Sequence, residues 1–322
     1  MIQLCIIESL KEIDMNANVQ MKAIRYNTYG APEAVLEMVH ISKPEPLAGQ
    51  IRIKVRAAGV NPSDWKRMEG QYKDFEEVVF PSGIGVEASG VVDAVGAGVA
   101  SVSVGDAVFG YGNDTMAEYA ILSHWVKKPE GVPFEVAGAI PVASETAWRC
   151  LDDLNANPGS TILVSGAAGG IGSAVVQLAR RRGLQVIGTA GAGNQEYLHE
   201  LGAIPTTYGD GLKERVKKLA PNGIAGALDI AGSGNIPELI DIVGDPSKVV
   251  SVADFSAVEY GARFSAGPPR HIQHVLSEVA NLYAKGLYQL HIQAVFPLKE
   301  TARAQAISSQ KKMRGKLVIV VD

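Results

Sequence analysis

Hydrophobic and polar residues alternate with period two along the first part of the chain, and the pattern changes to longer, helical periods in the second. Between residues 21 and 141 the alternating runs are 22–26, 35–41, 50–58 and 90–95, and glycine, proline and asparagine separate them. Short strands bounded by turn residues are typical of sheets in which one face of each strand is buried. The spacing predicts an irregular β-barrel.

From residue 161 onward, apolar runs suited to buried strands alternate with amphipathic stretches suited to helices. The predicted strands are 161–164, 185–189, 204–208, 226–230 and 249–253, and the predicted helices include 173–182 and 212–219. This alternation is typical of a doubly wound parallel sheet with helices on both faces. A helix at 298–311 and a strand at 316–321 have no place in that sheet, so the chain is expected to return to the first domain.

The run SGAAGGIG at residues 165–172 lies between the first of these strands and its helix. A strand, a glycine turn and a helix start place free backbone N–H groups where a pyrophosphate binds. Small residues then permit a tight turn, close approach of a phosphate and close helix packing. A flexible loop without function is the alternative, which the flanking strand and helix disfavour. The run predicts a dinucleotide site formed by Ala167, Ala168, Gly169, Gly170, Ile171 and Gly172.

The end of the second strand bears on which dinucleotide binds, because an acidic residue there binds the ribose 2′-hydroxyl of NAD. No acid follows Thr189 until Glu196, and a carboxylate would repel a 2′-phosphate. The sequence therefore favours NADP, although no lysine or arginine replaces the acid. The ends of later strands line the crevice of such sheets, so Ala231, Gly232 and Ala253 are predicted cofactor neighbours.

The 322 residues carry 30 basic and 34 acidic side chains, a net charge of −4, and 47% of them are hydrophobic. This length allows two domains with cores, and the absence of a basic excess disfavours nucleic acid as a partner. No apolar stretch is long enough to span a membrane, and residues 1–20 do not resemble a secretory signal. Two cysteines are too few for a secreted scaffold, so a cytoplasmic location is expected, with Cys150 a buried apolar residue.

Three runs in the first part carry a resemblance to a known family: AAGVNPSDW at 57–65, GIGVEASGVV at 83–92 and VGDAVFG at 104–110. With the glycine loop and RGKL at 314–317, they resemble the medium-chain dehydrogenase/reductase superfamily from residue 21 to the C-terminus. Within it, the chain looks like the zinc-free, quinone oxidoreductase-like branch. The resemblance implies an α/β fold, with a GroES-like catalytic domain at 21–143 completed by about 290–322. A Rossmann NADP-binding domain would span 144–289, and residues 1–20 would be an extension.

Zinc-dependent relatives place a cysteine where this chain has Asn61 and a histidine where it has Val86. Neither residue supplies the thiolate or imidazole that zinc requires. The four-cysteine lobe of those relatives is also missing, since no cysteine occurs between Cys5 and Cys150. The sequence therefore predicts no metal site.

Without a metal to handle a hydroxyl proton, reduction of an electron-poor double bond is favoured over alcohol oxidation. The resemblance implies hydride transfer from NADPH to a small-molecule acceptor, either a quinone or an α,β-unsaturated carbonyl such as an enone or 2-alkenal. It places Asn61 near the nicotinamide, where the amide would orient the carboxamide or donate to a substrate carbonyl, unless it only caps the turn before Pro62. Tyr72 would be a hydrogen-bond or proton donor, or an aromatic plug. Lys66 stands where many relatives have a second tyrosine.

The resemblance also points to Thr189, Asn194 and Tyr208 around the adenosine, and to Thr146 and Lys316 as further cofactor neighbours. Relatives often carry a lysine near Asn194 that binds the 2′-phosphate. This chain has none there, so the sequence predicts that neutral donors bind the phosphate, less strongly than a charged group would.

Two other functions remain open at this stage. Lys66, in place of the second tyrosine of many relatives, is compatible with a non-catalytic NADPH-binding redox sensor. A stand-alone enoyl-thioester reductase would use the same cofactor and the same loop. The resemblance also implies a homodimer, and it does not identify the acceptor.

Overall fold

The computed structural model describes residues 20–267 and 269–322, which form two sheet-based parts with helices packed against them. Most of the predicted extension, residues 1–19, therefore lies outside the described residues, and Gln20 already belongs to the first strand. Among the helices that the described residues form, none is both long and apolar enough to cross a membrane.

The first part is built from antiparallel strands, and the last two strands of the chain return to it. These strands are β1 (Gln20–Tyr26), β2 (Glu37–Ser42), β3 (Ile51–Gly59), β4 (Ser82–Gly83), β5 (Glu87–Val95), β6 (Ala107–Asn113), β7 (Tyr119–Lys127), β14 (Ile292–Pro297) and β15 (Lys316–Val320). One sheet has the order β14-β15-β3-β5-β6-β7, and it curls on itself because β3 also pairs with β7. A smaller sheet has the order β2-β1-β4. This arrangement confirms the irregular, GroES-like β-barrel.

Alternating burial along the strands explains why the barrel forms. Ile51, Ile53 and Val55 of β3 are completely buried and pack in one core with residues of the neighbouring strands. The last strand completes this core, since Ile319 of β15 lies opposite Ala58 of β3 in an antiparallel pair and both belong to it.

The second part is a parallel sheet with the strand order β10-β9-β8-β11-β12-β13. Its strands are β8 (Thr161–Ser165), β9 (Gln185–Thr189), β10 (Ile204–Thr206), β11 (Gly226–Asp229), β12 (Val249–Ser251) and β13 (Arg263–Phe264). Strands β9 and β10 are added on one side of β8, and strands β11 to β13 on its other side. This order is that of a doubly wound dinucleotide-binding sheet. The predicted Rossmann-like architecture is confirmed.

Helices pack against both parts of the molecule and connect their strands. They are α1 (Pro32–Val35), α2 (Pro62–Met68), α3 (Phe134–Ala137), α4 (Ile140–Leu154), α5 (Gly170–Arg181), α6 (Gln195–Glu200), α7 (Leu212–Leu219), α8 (Ile236–Val243), α9 (Ile272–Ala284) and α10 (Thr301–Ser309). Helix α5 ends in a Schellman motif: the Gly183 N–H donates to the Arg180 carbonyl at 2.9 Å and the Leu184 N–H to the Ala179 carbonyl at 3.0 Å. Cys150 is completely buried in α4, and burial raises the pKa of its thiol to about 12.

Several predicted boundaries differ from the structure for local reasons. The strand predicted from residue 35 begins at Glu37, because Pro32 starts a short helix that ends at Val35. The strands predicted to end at 208 and 253 stop at Thr206 and Ser251, and the residues after them form loops at the carboxyl edge of the sheet.

Candidate functional site

The glycine loop connects β8 to α5 at the carboxyl edge of the parallel sheet. Gly166 has a φ of +80°, which few residues other than glycine adopt. A Cβ at Gly172 would stand 2.1 Å from the Gly166 carbonyl oxygen, so only glycine fits where the helix crosses the loop. The first N–H groups of α5 have no partner within the helix and face the position of a phosphate.

The segment between α10 and β15 lies directly against this loop. The Gly315 N–H donates to the Ala168 carbonyl oxygen at 2.8 Å, and Gly315 also forms an isolated parallel bridge with Gly169. Gly315 has a φ of +66°, and a Cβ there would stand 2.0 Å from the His291 carbonyl oxygen. The C-terminal segment is thus fixed to the loop by backbone contacts that require glycine.

Lys316 follows Gly315 and links the loop to the catalytic domain. A Cβ at Gly170 would stand 2.6 Å from Cδ of Lys316, so the aliphatic stem packs on the loop. The ammonium is turned away from the loop and donates to Glu87 Oε1 at 2.8 Å, to Asn61 Oδ1 at 2.5 Å and to the Val60 carbonyl at 3.0 Å. Lys316 was predicted as a cofactor neighbour. Its charge, however, lies in an ion pair buried between the two parts.

Asn61 is the third member of this buried group. Its Nδ2 donates to Glu87 Oε1 at 2.8 Å, and its side chain is 2% exposed. The second oxygen of Glu87 accepts a 2.7 Å hydrogen bond from the Val142 N–H, so the carboxylate has partners on both oxygens. Asn61 occupies the N-cap position of α2, where its own N–H donates to the Asp64 carboxylate at 2.9 Å. The amide is therefore occupied by Glu87 and Lys316, and its contact with a nicotinamide remains a prediction.

Asp64 lies beneath this group and is itself fully enclosed. It accepts hydrogen bonds from the Asn61 N–H at 2.9 Å and from Gln305 Nε2 at 3.2 Å. Burial raises the pKa of its carboxyl from 3.8 to about 6, against the lowering by these donors and by Lys316. Asp64 orders the start of α2 rather than reaching the cleft.

Lys66 and Tyr72 lie on the other side of α2, facing the parallel sheet. Lys66 Nζ donates to the Ala253 carbonyl at 3.1 Å, which connects the catalytic domain to the end of β12. Burial lowers the pKa of this ammonium. The Tyr72 ring packs edge-to-face on Phe255 with ring centroids 5.8 Å apart, and burial raises the pKa of its hydroxyl.

Phe255 is the centre of an aromatic group contributed by both parts of the molecule. Its ring centroid lies 5.3 Å from that of Phe75 and 4.6 Å from that of Phe264. Phe75 is 75% exposed and Phe255 42% exposed, so part of this surface is open. We call Tyr72, Phe75, Phe255 and Phe264 the aromatic wall.

The ends of β11 and β12 bring three predicted cofactor neighbours together. Buried Asp229 accepts from the Gly232 N–H at 3.0 Å and from the Ser251 hydroxyl at 2.7 Å. Burial raises the pKa of this carboxyl. A Cβ at Gly232 would stand 2.8 Å from Cβ of Ala253, and Ala231 adjoins Gly166 of the glycine loop. These small residues let the strand ends and the glycine loop pack closely together.

The predicted adenosine-binding residues lie at the ends of β9 and β10. Thr189 Oγ1 accepts from the Gly166 N–H at 3.4 Å, and Tyr208 is 65% exposed. Asn194 Oδ1 accepts a 2.7 Å hydrogen bond from Nε of Arg314. An arginine distant in sequence therefore reaches this point. That neutral donors bind the 2′-phosphate stays a prediction. Thr146, in contrast, is buried within α4.

Sequence reasoning missed Glu87 and Phe75. It noted Arg314 only within a basic cluster near the C-terminus, which it interpreted as a solvated helix end or a phosphate neighbour. Glu87 had a detectable signal, since it is an acid within an apolar strand and a buried charge needs a partner. Phe75 had no such signal, because its partner Phe255 comes from a distant segment.

A metal does not fit the residues at this site. Within residues 20–267 and 269–322, no three His, Cys, Asp or Glu side chains are grouped so that they could hold an ion. Around the Lys316 ammonium the oxygen donors are one carboxylate, one amide and one backbone carbonyl, and all three accept from it. This donor set lacks the nitrogen and sulfur ligands typical of zinc.

Comparison with known proteins extends these observations. Two family models match the chain, the alcohol dehydrogenase GroES-like domain over residues 47–130 and the zinc-binding dehydrogenase over residues 201–319. A quinone oxidoreductase of Pongo abelii is 32% identical over 260 residues, 76% of this chain and 76% of that protein. The chloroplast envelope quinone oxidoreductase homolog of Arabidopsis thaliana is 35% identical over 199 residues, 57% of this chain and only 59% of that protein. The solved structure of mycobacterial Rv1454c complexed with NADPH has a TM-score of 0.80 at 25% identity and covers 93% of this chain and 100% of that one.

The barrel, the parallel sheet with its glycine loop and these similarities define the class, and the chain belongs to the medium-chain dehydrogenase/reductase superfamily. Its place there is the quinone oxidoreductase-like branch.

Proposed function

We propose that this protein transfers a hydride from NADPH to a quinone or an α,β-unsaturated carbonyl, and that it does so without zinc. The observation that carries the proposal is the aromatic wall, which lies beside the strand ends that would hold the nicotinamide. A flat, conjugated acceptor stacks favourably on such rings, whereas a small aliphatic alcohol does not.

The cofactor would lie along the carboxyl edge of the parallel sheet. The amides at the start of α5 would hold the pyrophosphate, and Ala231, Gly232 and Ala253 would border the nicotinamide half. Bound there, NADPH supplies the hydride. The mycobacterial structure with NADPH supports this choice of cofactor.

Two polar groups of this chain are placed to stabilise the charge that develops on a reduced acceptor. The Lys66 ammonium makes a single hydrogen bond within the described part of the chain, to the Ala253 carbonyl, and can turn toward an oxyanion. Its lowered pKa favours donation of a proton to the enolate, or to the hydroquinone anion that hydride transfer to a quinone leaves. Tyr72 is a second donor beside Phe255.

Lys316 supports the zinc-independent part of the proposal. Its ammonium already provides a fixed positive charge among Asn61, Glu87 and the Val60 carbonyl. A cation bound there would have to displace a lysine that is 4% exposed. We therefore expect full activity in metal-free buffer.

A panel of acceptors tests the proposal by following NADPH absorbance in the presence of a chelator. We expect turnover with naphthoquinone or with a cyclic enone, and no stoichiometric zinc by elemental analysis. Phe255→Ala should raise the acceptor KM about tenfold without changing the Kd of NADPH, whereas Leu47→Ala, at an exposed site in another loop, should change neither. Tight NADPH binding without turnover would instead favour the redox sensor, and a preference for enoyl thioesters would favour the enoyl reductase.

A further inference from the structure

Arg314 reaches from the C-terminal segment to the loop that follows β9. Its Nε donates to Asn194 Oδ1 at 2.7 Å, and its Nη2 donates to the Gly193 carbonyl at 2.8 Å. The guanidinium carbon lies 5.2 Å from the centre of the Tyr197 ring. Contacts to the loop after β9 and to α6 therefore hold the guanidinium in one orientation.

The charge of this guanidinium is not neutralised by a neighbouring carboxylate. Both hydrogen-bond acceptors are neutral oxygens, and among the described residues Arg314 forms no salt bridge. Nη1 also has no hydrogen-bond partner among residues 20–267 and 269–322. The pKa of His291 is lowered mainly by burial and further by the positive charge of Arg314. A buried or half-buried cation with a free donor is suited to binding an anion.

The position of the guanidinium identifies which anion would reach it. In doubly wound sheets the adenosine ribose lies beyond the end of the second strand, which here is β9. Residues 189–195 contain no acid that would bind a free 2′-hydroxyl. The exposed Tyr208 flanks the same loop, with its hydroxyl oxygen 3.7 Å from where a Cβ of Gly191 would stand.

We propose that Arg314 determines the preference for NADPH over NADH by pairing with the 2′-phosphate. The inference rests on the proposed cofactor and names the residue that distinguishes it from NADH. The charge comes from the C-terminal segment and not from the loop after β9, where the sequence has no cation. Anchoring to Asn194 and Gly193 removes the flexibility that a free arginine side chain would lose on binding.

Nearby Arg215 is a less suitable candidate. Its Nε, Nη1 and Nη2 donate to Thr206 Oγ1 at 3.3 Å, the Asp210 carbonyl at 2.7 Å and the Thr207 carbonyl at 2.9 Å. All three nitrogens are thus used to hold the loop after β10. A phosphate would have to break one of these contacts, whereas Nη1 of Arg314 has no acceptor in the described part of the chain.

Binding measurements on the full chain test the inference without any acceptor. Isothermal titration gives the Kd of NADPH, of NADH, and of the fragments adenosine 2′,5′-bisphosphate and adenosine 5′-monophosphate. Arg314→Gln should weaken NADPH and the bisphosphate about 10- to 100-fold, while NADH and the monophosphate change by less than about threefold. Arg314→Lys should recover part of the loss. Lys312→Gln makes the same change of charge at an exposed neighbour and should leave all four affinities unaltered.

Three results would overturn the inference, and they differ in what else they affect. Equal weakening of NADPH and NADH in Arg314→Gln would mean that Arg314 only positions the loop, and unchanged affinities would mean that another group binds the phosphate. Both leave the proposed hydride transfer intact. Tighter binding of NADH than NADPH by the wild type would instead refute the proposed cofactor, and the inference with it. Circular dichroism of each variant before titration shows whether it is folded.

Discussion

The buried ion pair between Lys316 and Glu87 should contribute strongly to stability, and Lys316→Met tests this directly. Methionine keeps a stem of similar length against Gly170 but removes the ammonium. Three acceptors then lose their donor, namely Glu87 Oε1, Asn61 Oδ1 and the Val60 carbonyl. Glu87 is 0% exposed, so its carboxylate would remain buried without a counter-charge. Breaking such a pair typically costs about 3–5 kcal/mol, a large share of the roughly 5–15 kcal/mol that stabilises a folded domain.

Urea unfolding followed by both tryptophan fluorescence and far-ultraviolet circular dichroism would measure this loss. Glu87→Gln should also be destabilising, because it leaves the ammonium unpaired. The double variant should be less destabilised than the sum of the single variants by about 2 kcal/mol, since neither charge is then buried alone. Lys312→Met, an exposed lysine in the same segment, should change the free energy of unfolding by no more than about 0.5 kcal/mol. A loss below about 1 kcal/mol in Lys316→Met, or strict additivity in the double variant, would refute the reasoning.

Three further predictions concern the loop, the acceptor side and the pH dependence of stability. Gly172→Ala puts a methyl group 2.1 Å from the Gly166 carbonyl oxygen, so the glycine loop must shift. The affinity for NADPH should therefore fall at least about tenfold. An unchanged Kd in a fluorescence titration would contradict this. The turnover rate of the wild type should fall as pH rises through the lowered pKa of Lys66, because the ammonium is the donor, and Lys66→Gln should lack this limb of the pH–rate profile. If the variant keeps it, another group donates the proton. Asp64 has a folded-state pKa of about 6 against 3.8, so the folded state binds its proton more tightly and stability should rise as pH falls through that range. Relative to Asp64→Asn, the wild type should gain about 2 kcal/mol between pH 6.5 and pH 4 in urea unfolding, and a constant difference between the two would exclude this titration.

Much of the architecture could be predicted from local patterns. Period-two alternation depends only on which face of a strand is buried, so the barrel strands were recognisable without knowledge of their partners. The two-residue strand β13 was not, because it is too short to show a period. Strands β6 and β7 were also missed, since glycines and polar residues interrupt their alternation.

The candidate site was predictable where its chemistry is local. The glycine loop combines a strand end, a left-handed turn and a helix start within eight residues, so its steric requirements are visible in SGAAGGIG itself. The family resemblance pointed to Lys66 and Tyr72, because both lie close in sequence to the run AAGVNPSDW at 57–65 that helps to carry it. Their neighbours Ala253 and Phe255 come from the other part of the molecule, and only the packed structure shows that they meet.

By itself, the sequence determined the two kinds of sheet, the phosphate-binding turn and the missing acid after Thr189, because each depends on residues adjacent in the chain. The tertiary structure alone decided which groups the cations Lys316 and Arg314 contact. Lys316 lies 255 residues from Asn61, and Arg314 lies 120 residues from Asn194. A buried or anchored cation donates hydrogen bonds to the acceptors that the fold brings within about 3 Å. Distant chain segments supply those acceptors, so no local sequence pattern specifies them.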